Sequence, residues 1–226
     1  GATSIYFDGS DYLTLPATNS DFAYSSEDFT IDFWMYPTSA TFSRTVAQQT
    51  NGGMFCNIWY HRTNAGQSAA NVSFILSDGT NTVEITTNDD TVPLNEWSHI
   101  AAVRDGSNIR LYVDGVHQLA GDVSSLGAIV SGTYHYIGQY WNTGGGEGYT
   151  GYLDEIRISR GIARWTGTGS FTPPSASYYK GAKGLNIKTD ELYVQGGDVA
   201  FDTGKGIRFD GDTLDDYEEG TFSPTF

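Results

Sequence analysis

Cysteine is nearly missing. Cys56 stands alone among 226 residues, so neither an internal disulfide framework nor a thiolate metal cluster can hold this chain together. Basic side chains are scarce as well: 12 Lys and Arg face 27 Asp and Glu, a net charge of −15. Phosphate contacts need clustered cations and these are scattered, so nucleic-acid binding is not expected. No apolar run approaches the ~20 residues of a membrane-spanning helix, and membrane insertion is not expected either. Helical periodicity is all but absent. Its one candidate, Arg160–Trp165, is broken by Gly161 and suffices for a turn or two at most. The chain opens Gly1-Ala2-Thr3 with neither an initiator Met nor a leader pattern, and is expected to be a piece of a longer polypeptide.

What is present is turn chemistry between short β-forming runs. Asp-Gly pairs at Asp8, Asp78, Asp105 and Asp114, and Asn-Gly at Asn51, separate segments rich in Ile, Val, Tyr, Phe and Thr. Ile109–Val113, Asp114-Gly115 and Val116–Leu119 read as a hairpin with Ile109, Leu111 and Val113 on one face. In Phe29–Tyr36 the alternation puts Phe29, Ile31, Phe33 and Met35 on a core face and Asp32, Trp34 and Tyr36 on the other. Trp97–Arg104 is apolar on both faces in its middle, as in a central strand covered twice. About a dozen such runs before Thr172 predict an all-β fold, a two-sheet antiparallel sandwich or jelly roll.

Beyond Lys180 the texture changes. Leu185–Ile187, Leu192–Val194, Val199–Phe201 and Ile207–Phe209 are brief apolar pulses between Gly and Asp, and residues 181–226 hold ten acidic and four basic side chains. Copies of one segment bury such pulses most easily, so residues 180–226 are expected to form a short β-rich, fibre-like stem that trimerises, after a jelly-roll domain over residues 1–179.

Six blocks, in order, carry a family resemblance: Ile5-Tyr-Phe-Asp-Gly-Ser-Asp-Tyr-Leu13, Phe29-Thr-Ile-Asp-Phe-Trp-Met-Tyr-Pro37, Leu94-Asn-Glu-Trp-Ser-His-Ile100, Leu111-Tyr-Val-Asp-Gly115, Tyr136-Ile-Gly138 and Gly151-Tyr-Leu-Asp-Glu-Ile-Arg-Ile158. Over residues 3–178 the chain resembles the laminin-G-like, concanavalin A-like jelly rolls of phage tail fibres and other adhesive proteins. Leu214-Asp-Asp-Tyr-Glu-Glu-Gly-Thr-Phe222 is similar to a junction in phage tail and fibre proteins. The resemblance implies a virion structural protein with a lectin-like module, on a tail or capsid surface, in contact with a host-surface glycan and other virion structural proteins.

Chemistry is sparse. Asp154 and Glu155 are neighbours, so on a regular strand they leave opposite faces and cannot flank one glycosidic bond. There is no Gly-x-Ser-x-Gly elbow, and His61, His99, His117 and His135 lack metal spacing. His99 reads as a hydrogen-bonded strand residue. Gly146–Gly151 matches Gly-x-Gly-x-x-Gly but lies between strands and carries Glu147, which excludes a pyrophosphate cradle. No enzymatic activity is expected, with polysaccharide depolymerisation the least favoured alternative and structural bracing of the virion the nearer one.

A metal is the better prospect. On a regular strand Asp154 shares a face with Ile156 and Ile158, where an unpaired charge is costly. The family resemblance implies a structural Ca²⁺ between the first strand's turn and the penultimate strand, with Asp154 as the matching carboxylate and Asp8 as the nearest N-terminal candidate unless it merely makes its Asp-Gly turn. The alternative for Asp154 is a partner such as Arg157, Arg160 or a turn amide. For a glycan, the expected sites are the loop from Tyr140 to Tyr149, with Trp141, Asn142 and Tyr149, and the segment Asn57–Gln67, with Arg62. Aromatic faces stack on sugars, while amides and guanidiniums fix hydroxyls. Trp34, Trp97 and Trp165 read as core or edge cover.

Overall fold

Period-two alternation builds twelve strands among the described residues of the computed structural model, which are 4–14, 24–40, 43–49, 53–61, 70–129, 134–139, 148–175 and 178. In chain order they are β1 (Ile5–Asp8), β2 (Leu13–Thr14), β3 (Phe29–Pro37), β4 (Ser43–Gln49), β5 (Met54–Tyr60), β6 (Val72–Asp78), β7 (Thr82–Thr86), β8 (Ser98–Asp105), β9 (Asn108–Val113), β10 (Val116–Asp122), β11 (Tyr134–Ile137) and β12 (Thr150–Arg160). They form two six-stranded sheets, β1-β12-β3-β8-β9-β10 and β2-β11-β4-β5-β6-β7, and every pairing is antiparallel. This is the predicted two-sheet sandwich. No helix occurs among the described residues, and the candidate at Arg160–Trp165 is the end of β12 followed by a turn. The expected stem, residues 180–226, lies outside them.

The core is where the alternation put it. Phe29, Ile31, Phe33 and Met35 are fully buried, facing Phe74, Leu76, Ile58 and Tyr60 of the opposite sheet's strands. The Asp114-Gly115 hairpin forms as expected, with Val113 opposite Val116 and positive φ at both turn residues, the geometry whose twist matches the flanking strands. Ile109, Leu111 and Val113 are its buried face. In β8, Ile100 and Ala102 join the main core, while Ala101 and Val103 are buried on the other side of the sheet.

That second burial comes from the chain after β12. Residues 161–175 form a strap across the outer face of the first sheet, packing Ala163, Trp165 and Phe171 against Ala101, Val103 and Tyr112. Trp165 and Phe171 stack at 4.0 Å with a 7° tilt. The segment has no strand partner, so its backbone is anchored by side chains. The Tyr112 hydroxyl donates to the Gly167 carbonyl (2.8 Å), Thr30 Oγ1 donates to the Ile162 carbonyl (2.8 Å), and Trp34 Nε1 donates to the Pro174 carbonyl (3.2 Å). The Phe171 N–H donates to the Gly115 carbonyl (2.9 Å). A Cβ at Gly115 would lie 1.8 Å from the Phe171 oxygen, so the hairpin glycine serves the turn and the strap at once.

Candidate functional site

The same outer face has an uncovered part. Tyr6 of β1 pairs with Tyr152 of β12, and Tyr152 pairs with Tyr36 of β3. In the next strand Ser98 pairs with Met35, which brings Trp97, just before β8, level with Tyr36. Four aromatic rings therefore form a ladder across four adjacent strands. Centroid separations are 5.0 Å for Tyr6–Tyr152, 5.9 Å for Tyr152–Tyr36 and 5.5 Å for Tyr36–Trp97. Trp97 is held by the turn before it, where Asn95 at φ +60 donates its N–H to the Pro37 carbonyl (2.8 Å).

These rings are open to solvent: Tyr6 is 50%, Trp97 42% and Tyr152 37% exposed. Ser4, Tyr36, Trp97 and Tyr152 line a shallow cleft of about 280 Å³. Large apolar side chains exposed together, in register and beside polar groups, are the form of a recognition surface. Reading Trp97 as core or edge cover missed this, because bulk alone does not tell which face of a sheet stays uncovered. The signal was in the blocks: Tyr6, Tyr36 and Tyr152 all fall on outward positions of their strands.

A bulge in β12 rearranges the carboxylates. Glu155 has φ +49, and register shifts between Asp154 and Arg157. The extra residue turns Ile156 and Ile158 toward the core and Arg157 outward, so the expectation that Asp154 shares their apolar face fails. Asp154 stays on the outer face, two positions from Tyr152, and its Oδ1 accepts the Glu155 N–H (2.9 Å). Arg157 instead pairs with Asp32, through Nε–Oδ1 at 3.0 Å and Nη2–Oδ2 at 2.8 Å.

Asp32 is the centre of a buried polar cluster. Tyr178 Oη donates to Asp32 Oδ2 (2.6 Å), and His99 Nε2 lies 3.2 Å from Tyr178 Oη and 3.5 Å from Asp32 Oδ2. The Arg157 guanidinium sits 3.9 Å above the Tyr178 ring, and the Tyr178 N–H donates to Glu155 Oε2. Burial by itself raises the Asp32 pKa. Hydrogen bonds from His99, Arg157 and Tyr178, with the Arg157 charge, outweigh it and hold the carboxyl below its ordinary value. Burial pushes the Tyr178 phenol well up, so it donates. His99 is a strand residue in a network, as expected, enclosed by Trp34, Trp165 and Phe171.

Trp141, Asn142 and Arg62 lie outside the described residues. Tyr149 is fully buried, edge-on to Phe7 and Tyr60, with its hydroxyl donating to the Tyr152 carbonyl (3.2 Å). It is a core side chain and offers no face to a sugar, because the chain turns inward immediately after the glycine-rich stretch. Asn57–Tyr60 belong to β5 rather than to a loop, and Tyr60 is fully buried. Cys56 is buried and its thiol pKa is pushed up, which leaves it unreactive.

The two proposed calcium ligands do not meet. Asp8 is opposite Thr150 in the β1–β12 ladder, four positions from Asp154, a separation of about 13 Å along the strands. Asp8 Oδ1 is taken up by its own turn, accepting from Ser10 N (2.8 Å) and Ser10 Oγ (2.7 Å), and these bonds lower its pKa. Among the described residues no group of three or more His, Cys, Asp and Glu is placed to hold a metal ion. This pair does not fit a shared Ca²⁺.

The described residues thus form a twelve-stranded sandwich with an open aromatic surface on one sheet. Residues 7–163 match the family model described as the concanavalin A-like lectin/glucanases superfamily, and the chain belongs to that family. None of the curated proteins matches it. Among solved structures it is similar to the binding domain of Paraclostridial Mosquitocidal Protein 1 (TM-score 0.56, 17% identity, covering 70% of this chain and 40% of that one). It is similar also to Ruminococcus gnavus IT-sialidase CBM40 bound to alpha2,3 sialyllactose (TM-score 0.55, 17% identity, 70% and 89%). A third likeness is to domains LG4-5 of the mouse laminin alpha1 chain (TM-score 0.54, 15% identity, 73% and 44%). The chain thus spans less than half of the mosquitocidal and laminin chains. At these identities the likeness is one of fold.

Proposed function

We propose that this domain is a non-enzymatic carbohydrate-binding module whose ligand lies on the Tyr6–Tyr152–Tyr36–Trp97 ladder. The observation that carries the reading is the register of those four rings, three of them more than a third exposed. An exposed aromatic costs little when it stacks on the apolar face of a sugar and excludes water there. Sugar-bound CBM40 is a neighbour in fold and lends support to the class of ligand. The setting we propose is a phage tail fibre or capsid surface, where the acidic segment 180–226 trimerises the chain and docks it to other virion proteins. A trimer would add avidity to weak single sites on a repetitive host surface. Trp141, Asn142 and Arg62 are proposed to form a second set of glycan contacts.

The test is a glycan array probed with the full chain and with Trp97→Ala. Retained folding with lost glycan binding supports the ladder. Equal binding by both proteins removes it. A second reading, structural bracing, has its own observation: Ile5 on β1, and Tyr12 and Leu13 at β2, are exposed on the edge strands of the two sheets, as a protein contact would require. It predicts that Ile5→Ser with Leu13→Ser abolishes virion assembly while glycan binding persists. Light scattering of the full chain and of a version ending at Tyr179 tests the trimer.

A further inference from the structure

Resting on that reading, we infer that the ladder selects an uncharged glycan whose sugar planes turn from one residue to the next, such as a β-1,3- or α-1,4-linked glucan, over flat ribbons and acidic sugars. Two independent observations define the ligand. The first is the set of ring orientations. Tyr6 and Tyr152 are tilted by 50°, Tyr152 and Tyr36 by 75°, and Tyr36 and Trp97 by 55°. A β-1,4-linked ribbon presents parallel faces and needs coplanar rings beneath it. Here each ring meets its neighbour obliquely or edge-on, so a flat chain stacks on one ring and loses the next. A twisted chain can bring successive faces against successive rings.

The second observation is where the cations are. Among the described residues, the arginines on and around this face are engaged elsewhere: Arg157 with Asp32, Arg110 with Asp105 at 2.6 Å, Arg160 with Glu27 at 2.9 Å, and Arg164 with Ser159 at 3.0 Å. Arg104 is buried and donates to the Ser25 and Gly106 carbonyls. The cleft itself is lined by Ser4 and three aromatics. The charges beside it along the chain are the carboxylates Glu96 and Asp154, which accept sugar hydroxyls but repel a sugar acid. Carboxylate recognition wants a guanidinium fork, and among the described residues the ladder has none. The domain therefore differs in ligand class from the sialyllactose-bound structure it resembles in fold.

The experiment titrates the full chain, and its Trp97→Ala and Tyr152→Ala variants, with laminarihexaose, maltohexaose, cellohexaose and α2,3-sialyllactose, followed by calorimetry. The expected result is binding of laminarihexaose or maltohexaose at least about tenfold tighter than cellohexaose, none of sialyllactose, and loss of binding in both variants. Cellohexaose binding as tight as the others overturns the twist. Sialyllactose binding that Trp97→Ala removes overturns the charge selection. Tight binding of a twisted glucan that survives both substitutions moves the site off the ladder. Silence on all four sugars overturns the carbohydrate reading itself, a different failure from the first two.

Discussion

One face of one sheet carries two aromatic surfaces with opposite fates. Over Ala101, Val103 and Tyr112 the strap lays Trp165 and Phe171 and closes the surface. Four residue positions from Ala101, at Trp97, the ladder stays open. Both are rich in aromatic rings, so hydrophobicity does not decide which is covered. The difference is polar. The covered part offers fixed hydrogen-bond partners, Thr30, Tyr112, Trp34 and Asp32, at the spacing an irregular backbone needs. An unpaired strap would otherwise bury backbone groups without partners, at a cost of ~1–3 kcal/mol each. The ladder's own hydroxyls and indole have no such backbone laid across them among the described residues.

Substitutions on the two parts should therefore separate stability from binding. The largest effect is expected at Asp32. Asp32→Asn leaves Arg157 without its carboxylate and weakens the Tyr178 contact, and should lower unfolding free energy by about 3 kcal/mol in urea titrations. Because the folded pKa of Asp32 is depressed, its contribution is present above the unfolded value of ~3.9 and is lost as pH falls through the folded one. The stability difference between the two proteins should thus begin to shrink as pH falls below about 4 and keep shrinking on further acidification. A constant difference across pH would assign the loss to packing. Next, Gly115→Ala forces a side chain into the Phe171 carbonyl at a positive φ and should cost about 2 kcal/mol. Hydrogen exchange at the Phe171 amide should rise in that variant. If it does not, the strap is not held through the hairpin.

On the open part, Trp97→Ala should change stability by no more than about 0.5 kcal/mol, while sugar binding drops at least about tenfold. Equal losses of stability would make the ladder a packing feature like the strap. The smallest effect is expected from calcium. With Asp8 and Asp154 apart, melting in excess Ca²⁺ and after chelation should coincide. A rise of several degrees with Ca²⁺ would put its ligands elsewhere in the chain.

The open and covered parts were unequally legible in the sequence. Alternation in Phe29–Tyr36 and the Asp114-Gly115 hairpin identified strands, faces and fold, because a buried face imposes period two on its residues. Asp154 was misread because one bulge residue, Glu155, reverses the alternation, and no glycine marks it. Tyr149 was taken for a loop residue since its neighbours are glycines, although a large ring next to a strand is as readily core. The strap left no periodicity at all. Its signals were Trp165 and Phe171, two large rings beyond the last strand, with nothing to show which surface they close. The ladder could be seen only once the register of four strands, distant in sequence, was known.

The path of the chain at Tyr178 has a mechanical meaning. Ser4 enters the fold opposite Asp154 in register, and Tyr178, at the far end of the strap, is tied to Glu155, the next residue of β12. Entry and exit are thus side by side, so a pull transmitted along the polypeptide would pass from one to the other through a single edge of the sheet. The strands beyond β12 would hang beside that line of force, while Tyr6 and Tyr152, on the two strands it crosses, would bear it.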